Sequence, residues 1–218
     1  MLFTLEHARD NLRNRDGRRV FYLGKGDQLT SEARDWLRRE RIEILPAEQA
    51  KPARYRLLGG GYLEEKPEHM THLSGDILVE KTHPRIAFRG AVDTLEAELL
   101  LCLQELPRLQ PVLELLRGLL RCEVLEQPVE EVQLGGLDDG ELRSHSHRPQ
   151  DFYGQPHFMP AATDSRAVLQ LNRLRTLVRH VERVAAGALP QRTDILRALN
   201  RMSSYLYILM VQEKAVDR

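Results

Sequence analysis

Charged side chains recur at helical spacing in the stretch "LRTLVRHVERV". Arg175, Arg179 and Glu182 stand at positions i, i+4 and i+7, which places all three on one face of a helix. Two guanidiniums on one face can clamp a polyphosphate, because each can bind two oxygens at once. A solvated face with ordinary ion pairs produces the same spacing, so the pattern alone leaves both interpretations open.

A strip of polar side chains follows in "ALNRMSSYLYIL". Asn200, Ser203, Ser204 and Tyr207 fall on one helical face, whereas the residues between them mark an apolar face. A polar strip that is buried in a bundle needs hydrogen-bond partners. The strip could contact a ligand or simply satisfy a neighbouring helix.

The segment "HLSGDILVEKTHPR" has the composition of a phosphate-binding loop. Ser74, Gly75 and Asp76 combine a glycine turn with an acid that can hold a hydrated Mg²⁺, and Lys81 and Arg85 follow as cations. A solvated connection without a role is the alternative.

Histidines in the same region raise the question of a metal site. His69 and His72 form an H-x-x-H pair, His83 lies further on, and neutral imidazole is a good metal ligand. No cysteine lies nearby and no H-E-x-x-H pattern is present, so histidines of a loop without a metal are the preferred interpretation. We therefore predict no metal-ligating residues.

Composition excludes several classes of protein. The 218 residues carry 32 basic and 32 acidic side chains, so nothing indicates a nucleic-acid binder. No apolar run reaches the roughly 18 residues of a membrane span, and the first residues lack the apolar core of a signal peptide. A cytoplasmic protein that contacts no membrane is expected. Cys102 and Cys122 lie in leucine-rich stretches, which predicts buried thiols.

The elements that would position these residues fall into three regions. Residues 1–50 predict a small α/β module, with strands at "RRVFYLG" and "IEIL" and a helix capped by Thr30 or Ser31. Residues 51–88 are expected to form a linker and the phosphate-binding loop. Residues 89–218 have helical periodicity, and four to five helices with short connections predict an up-and-down bundle. The fold class is therefore mainly α.

Taken together, three motifs resemble a known enzyme family. "HPRIAFRGAVDTLEAE", "NRLRTLVRHVER" and "ILRALNRMSSYLYIL" occur in the order found in the corrinoid adenosyltransferases of the ATP:cob(I)alamin type. The ethanolamine-utilisation branch is the more similar, through "THL", "LNRLRT" and "DILRALNR". The resemblance covers roughly residues 64 to 212, and "TSEAR" is similar to the leader of that branch.

The resemblance implies a reaction in which cob(I)alamin receives the 5′-deoxyadenosyl group of ATP and triphosphate leaves. Arg175 and Arg179 match the family's two arginines, Glu182 stands in its acidic position, and Asn200 matches an asparagine expected to contact ATP. Asp93 matches an aspartate that pairs with the first arginine across a subunit boundary, so we expect an intersubunit Asp93–Arg175 ion pair. Arg175, Asp93 and Arg179 are the expected catalytic residues.

The family's phosphate loop matches Ser74, Gly75 and Asp76, and Lys81 is expected to add a phosphate contact. Some members of the ethanolamine branch bind a divalent metal through a cysteine cluster just before the K-P pair. The corresponding stretch here, "YRLLGGGYLEE", has no cysteine. The resemblance therefore implies a subclass that needs only Mg²⁺ with its ATP.

The family also binds the corrin in an apolar site that excludes water, which eases reduction of Co(II) by a flavoprotein. Phe152, Tyr153 and Phe158 are candidates for the wall of that site. Aromatic packing of a loop onto the bundle is the alternative.

The partners that the resemblance implies are cobalamin, ATP, further copies of the chain and a flavoprotein reductase. A homo-oligomer is expected, with a trimer favoured. An ethanolamine ammonia-lyase or a bacterial microcompartment shell are further candidate partners. A non-catalytic cobalamin carrier or scaffold is the alternative function.

Overall fold

The protein is described by a computed structural model that covers residues 1–15, 18–50 and 55–216. Contacts between Cα atoms divide the chain into two compact units, Met1–His83 and Pro84–Arg218. Residues 51–54 of the predicted linker lie outside the described residues. Within the described ranges, no helix has the length and apolar character needed to cross a membrane.

The first unit combines short strands with two helices, as far as its residues are described. The strands are β1 Leu2–Phe3, β2 Arg13–Arg15, β3 Arg18–Leu23, β4 Gln28–Leu29, β5 Glu43–Pro46, β6 Tyr55–Leu57, β7 Tyr62–Leu63, β8 Met70–Ser74 and β9 Ile77–Glu80. The helices are α1 Leu5–Asp10 and α2 Ser31–Arg39. Seven of the described strands form a mixed sheet in the order β5-β3-β2-β7-β6-β9-β8, and β1 pairs with β4.

The first fifty residues contain the elements that the sequence predicts. The stretch "RRVFYLG" forms β3 and "IEIL" forms β5, and the two strands pair in parallel. Thr30 caps α2, because its hydroxyl accepts a hydrogen bond from the Ala33 N–H at 3.2 Å. Trp36 and Leu37 of α2 pack with Phe21 of β3 in a buried apolar cluster. This cluster is the local core that makes the segment fold.

The segment expected to be a linker differs from that expectation. Where it is described, it contributes β6 to β9 to the same sheet as β2 and β3, through the parallel pair β2–β7. The first unit therefore extends to His83, and the helical unit begins at Pro84 rather than at residue 89.

The second unit is mainly helical. Its helices are α3 Pro84–Leu103, α4 Gln110–Val124, α5 Asp139–His147, α6 Pro149–Tyr153, α7 Arg166–Ala188 and α8 Thr193–Val216. Helix α7 packs against both α3 and α8, and α5 packs against α8. Only residues 189–192 separate α7 from α8, so these two long helices run antiparallel along their shared face.

Apolar residues at helical spacing build one core between these helices. On α3 the predicted positions Val92, Leu95, Leu99 and Cys102 are all buried. Cys122 is only partly buried, and its thiol donates to the Pro128 carbonyl at 3.5 Å near the end of α4. Both thiols are free. The prediction of a buried thiol is therefore right for Cys102 and wrong for Cys122.

The connection from α4 to α5 depends on a glycine. Gly135 has φ +61°, and a Cβ added there would stand 2.6 Å from a ring carbon of Tyr205. Gly136 has φ +80° but no atom within 4 Å of an added Cβ. We expect Gly135→Ala to lower the free energy of unfolding by about 1–3 kcal/mol more than Gly136→Ala does, because both variants strain the backbone but only the first overpacks. Urea unfolding measures the difference, and equal losses would contradict the steric cause.

Candidate functional site

The arginines of α7 and the polar strip of α8 face one cavity of about 600 Å³. Helix α7 contributes Arg175 and Arg179, which lie on one face as their spacing predicts. Helix α8 contributes the whole strip, namely Asn200, Ser203, Ser204 and Tyr207. The strip therefore lines a cavity, and it does not serve only to form hydrogen bonds with a neighbouring helix.

The charge in this cavity is positive. Among the described residues that line it there is no aspartate or glutamate. Burial of the guanidinium lowers the pKa of Arg175 below its ordinary value, and the nearby charge of Arg179 lowers it further. A bound anion would relieve both effects.

Arg175 also carries an unsatisfied donor. One of its terminal nitrogens donates to Asn172 Oδ1 at 2.9 Å. Its Nε is buried and has no hydrogen-bond partner among the described residues. A buried donor without a partner is costly and points to a ligand that supplies the acceptor. The arrangement can bind an anion with several oxygens and stabilise negative charge that develops on it.

Glu182, the acid on the same face of α7, contacts the site through Asn200. Its Oε1 accepts a hydrogen bond from Asn200 Nδ2 at 3.3 Å. This hydrogen bond joins α7 to α8 at the edge of the cavity. Glu182 is therefore placed to orient a lining residue.

A further wall comes from residues 157–160, of which the sequence analysis had singled out only Phe158. His157 Nδ1 lies 2.8 Å from the Tyr207 hydroxyl, and its Nε2 lies 3.0 Å from the His147 carbonyl. Since a carbonyl can only accept, Nε2 carries a proton, and in the neutral imidazole Nδ1 then accepts from the Tyr207 hydroxyl. These bonds hold the wall against α8 and against the end of α5. The segment has no periodicity, so its only signal in the sequence was a cluster of aromatic residues and histidines.

The three aromatic candidates separate into two groups. Phe158 lines the cavity and lies 6.4 Å from the Tyr207 ring, centroid to centroid. Phe152 stacks on His145 at 3.7 Å, and the Tyr153 hydroxyl hydrogen-bonds the same histidine at 2.8 Å. Phe152 and Tyr153 do not line the cavity among the described residues.

The predicted phosphate loop belongs to the first unit. Ser74 ends β8, Gly75 adopts φ +53°, and Asp76 precedes β9, so the three residues form a hairpin turn. Asp76 accepts a hydrogen bond from Arg56 at 3.2 Å. Lys81 is exposed just beyond β9.

Two further charged residues of the sequence analysis lie on α3. Arg85, considered as a phosphate cation, instead pairs with the buried carboxylate of Glu123 at 2.5 Å. Asp93 is exposed, and the structure gives it no hydrogen bond or ion pair with another described residue. It does not meet Arg175 within the chain.

The candidate metal ligands have other contacts. His69 lies 3.7 Å from Glu80, and His72 Nδ1 lies 3.0 Å from the Gly75 carbonyl. In the described part of the chain, no three histidine, cysteine or acidic side chains are grouped to hold a metal ion.

The sequence is similar to those of known proteins. The sequence model of the family described as cobalamin adenosyltransferase matches residues 61–213. The corrinoid adenosyltransferase EutT of Salmonella typhimurium is 35% identical over 158 residues, which are 67% of this chain and 59% of that relative. The protein of the same name from Escherichia coli has the same identity and coverage. The chain thus spans about three fifths of the length of these curated relatives.

Proposed function

The chain belongs to the cobalamin adenosyltransferase family, and from that premise we propose that it transfers the 5′-deoxyadenosyl group of ATP to cob(I)alamin. The products are adenosylcobalamin and triphosphate. The observation that carries the proposal is the positive cavity between α7 and α8, where the buried Nε of Arg175 lacks a partner. A triphosphate has the charge and the oxygens that this cavity requires.

In the proposed reaction, cob(I)alamin donates an electron pair to the C5′ carbon of ATP. The cobalt–carbon bond forms while the C5′–O5′ bond breaks, and the bonding electrons leave on the triphosphate. Negative charge therefore grows on the leaving group. Arg175 and Arg179 hold that charge, which is stabilisation of the kind expected from fixed cations in a partly buried site. Mg²⁺ arrives with ATP as part of the substrate.

The other phosphate contacts are proposed from the family resemblance. Ser74, Gly75, Asp76 and Lys81 are the proposed phosphate-binding residues of the loop that resembles the family's. Asp93 would pair with Arg175 of a second copy, which agrees with its exposure on α3 and its lack of an ion pair with other described residues. A homo-oligomer, with a trimer favoured, and a bundle built on the long helices of the second unit follow from the same premise.

The setting of the reaction is also a proposal. The EutT relatives point to ethanolamine utilisation, where adenosylcobalamin would serve an ethanolamine ammonia-lyase. A flavoprotein reductase would supply the electron for Co(I). A cytoplasmic protein, or one held in a microcompartment, fits this role.

We propose that Phe158 rather than Phe152 contacts the corrin, because only Phe158 lines the cavity. Phe158→Ala should weaken cobalamin binding by about 10- to 100-fold, the effect of losing a buried aromatic contact. Phe152→Ala is the matched control and should change binding by less than about twofold, because Phe152 is 42% exposed and stacks on His145. Absorbance titration with cob(II)alamin measures both. Equal losses would place the corrin elsewhere.

The proposed activity is tested with ATP carrying ¹³C at C5′, incubated anaerobically with cob(I)alamin, Mg²⁺ and the protein. We expect labelled adenosylcobalamin and an equal amount of triphosphate. Binding of both substrates without a cobalt–carbon bond would overturn the transferase and favour a cobalamin carrier.

A further inference from the structure

The side-chain amide of Asn200 is held in one orientation by two charged neighbours. Its Oδ1 accepts a hydrogen bond from Arg201 at 2.8 Å, and its Nδ2 donates to Glu182 at 3.3 Å. A guanidinium can only donate and an ionised carboxylate can only accept, so the amide cannot be reversed. Of its two N–H groups, one is engaged by Glu182. The second N–H is available to the cavity that Asn200 lines.

Arg201 is itself fixed by a buried ion pair. The residue is 9% exposed, and its Nε lies 2.8 Å from Asp139 Oδ1 at the start of α5, at ion-pair distance but without hydrogen-bond geometry. The hydrogen bonds from Arg197 and the nearby charge of Arg201 lower the pKa of Asp139 to about 2, so this carboxylate is ionised near neutral pH. The chain of contacts therefore runs from α5 through Arg201 to the cavity.

We propose that Asp139 and Arg201 are positioning residues that present an N–H of Asn200 to an oxygen of the ATP triphosphate. The proposal rests on the proposed function for the identity of the ligand. It assigns Asn200 the role of a donor to an anion. The positive guanidinium of Arg201, 2.8 Å from Oδ1, disfavours Mg²⁺ at the same oxygen by charge repulsion.

Arg197 provides a matched control for Arg201. It also binds Asp139, through two hydrogen bonds of 2.8 Å, but its side chain is 65% exposed. Among the described residues, Arg197 makes no hydrogen bond to Asn200, whose side-chain partners are Glu182 and Arg201. Removing either arginine takes one partner from Asp139, but only Arg201 orients the amide.

The test is equilibrium binding of Mg²⁺-ATP, by calorimetry without cobalamin, to wild type, Arg201→Met and Arg197→Met. We expect Arg201→Met to weaken binding about tenfold, as the loss of a hydrogen bond to a charged group does. Arg197→Met should change binding about twofold or less. Equal effects of the two variants, or none from Arg201→Met, would overturn the proposal.

A double-mutant cycle distinguishes a positioning role of Arg201 from a general structural role. In an Asn200→Ala background, Arg201→Met should weaken binding no further, because the amide it orients is gone. An undiminished tenfold loss in that background would mean that Arg201 acts independently of Asn200 and would overturn the proposal. Cobalamin affinity should be unchanged in Arg201→Met, whereas a merely structural role would move it as well.

If Arg201→Met does not fold, NMR of the wild-type protein tests whether the Asn200 side chain contacts ATP. Addition of Mg²⁺-ATP should shift the side-chain N–H signals of Asn200, and an unmoved signal in the ATP-bound protein would overturn the proposal. Neither the calorimetric nor the NMR test requires the protein to form adenosylcobalamin. A protein that binds ATP but forms no adenosylcobalamin would overturn the proposed function and leave the Asn200 result interpretable.

Discussion

Arg175→Ala is expected to lower the rate of adenosylcobalamin formation by about 10²–10³-fold, the cost of removing one fixed charge-stabilising donor. Arg175 is the more buried of the two arginines in the cavity, and its Nε has no partner among the described residues. In the proposed reaction this guanidinium would meet the charge that grows on the triphosphate. Arg175→Lys should recover only part of the loss, since one ammonium cannot reproduce a bidentate contact. An anaerobic assay at saturating ATP measures the rates.

Arg173→Ala is the control for this prediction. Arg173 lies two positions earlier on α7, is 66% exposed, and pairs with Glu98 at 2.8 Å outside the cavity. Its loss should change the rate by less than about twofold. If Arg175→Ala remained as active as Arg173→Ala, the cavity would not hold the leaving group.

Glu123→Ala is expected to lower the free energy of unfolding by about 3–5 kcal/mol, the cost of breaking a buried ion pair. The Glu123 side chain is fully buried, and its two oxygens bind Arg85 Nε at 2.5 Å and Arg89 Nε at 2.8 Å. Both arginines lie in the first turns of α3, whereas Glu123 is near the end of α4. Removing the carboxylate leaves two mostly buried guanidiniums without the group that they share.

Glu126→Ala is the matched control. Glu126 also pairs with Arg85, at 3.2 Å, but its side chain is 75% exposed. Such a surface pair contributes about 0–1 kcal/mol. Urea unfolding of both variants should therefore separate them clearly. Similar losses would show that burial of the Glu123 charge does not determine its contribution.

Much of the site was predictable because it lies on long helices. The helical repeat of 3.6 residues per turn places Arg175 and Arg179 on one face of α7. The same repeat places Asn200 and Tyr207 on one face of α8. Sequence alone could not decide whether these faces met solvent or a cavity. That depends on the antiparallel packing of α7 on α8 and on a wall from residues 157–160, where no period applies.

Elsewhere the sequence was a poorer guide for identifiable reasons. The strands β6 and β7 have three and two residues, too few to show alternation. They are stabilised by pairing with distant strands, so their segment resembled a linker. Arg85 next to a polar loop resembled a phosphate ligand, but its partner Glu123 lies 38 residues away. Long-range pairing of this kind leaves no local pattern.

The most direct test of the proposed site is a crystal structure of the protein with Mg²⁺-ATP and cob(II)alamin. We expect the triphosphate in the cavity between α7 and α8, with its oxygens on Arg175, Arg179 and the free N–H of Asn200, and the corrin beside Phe158. A nucleotide bound elsewhere, with this cavity empty in a protein that forms adenosylcobalamin, would contradict the assignment.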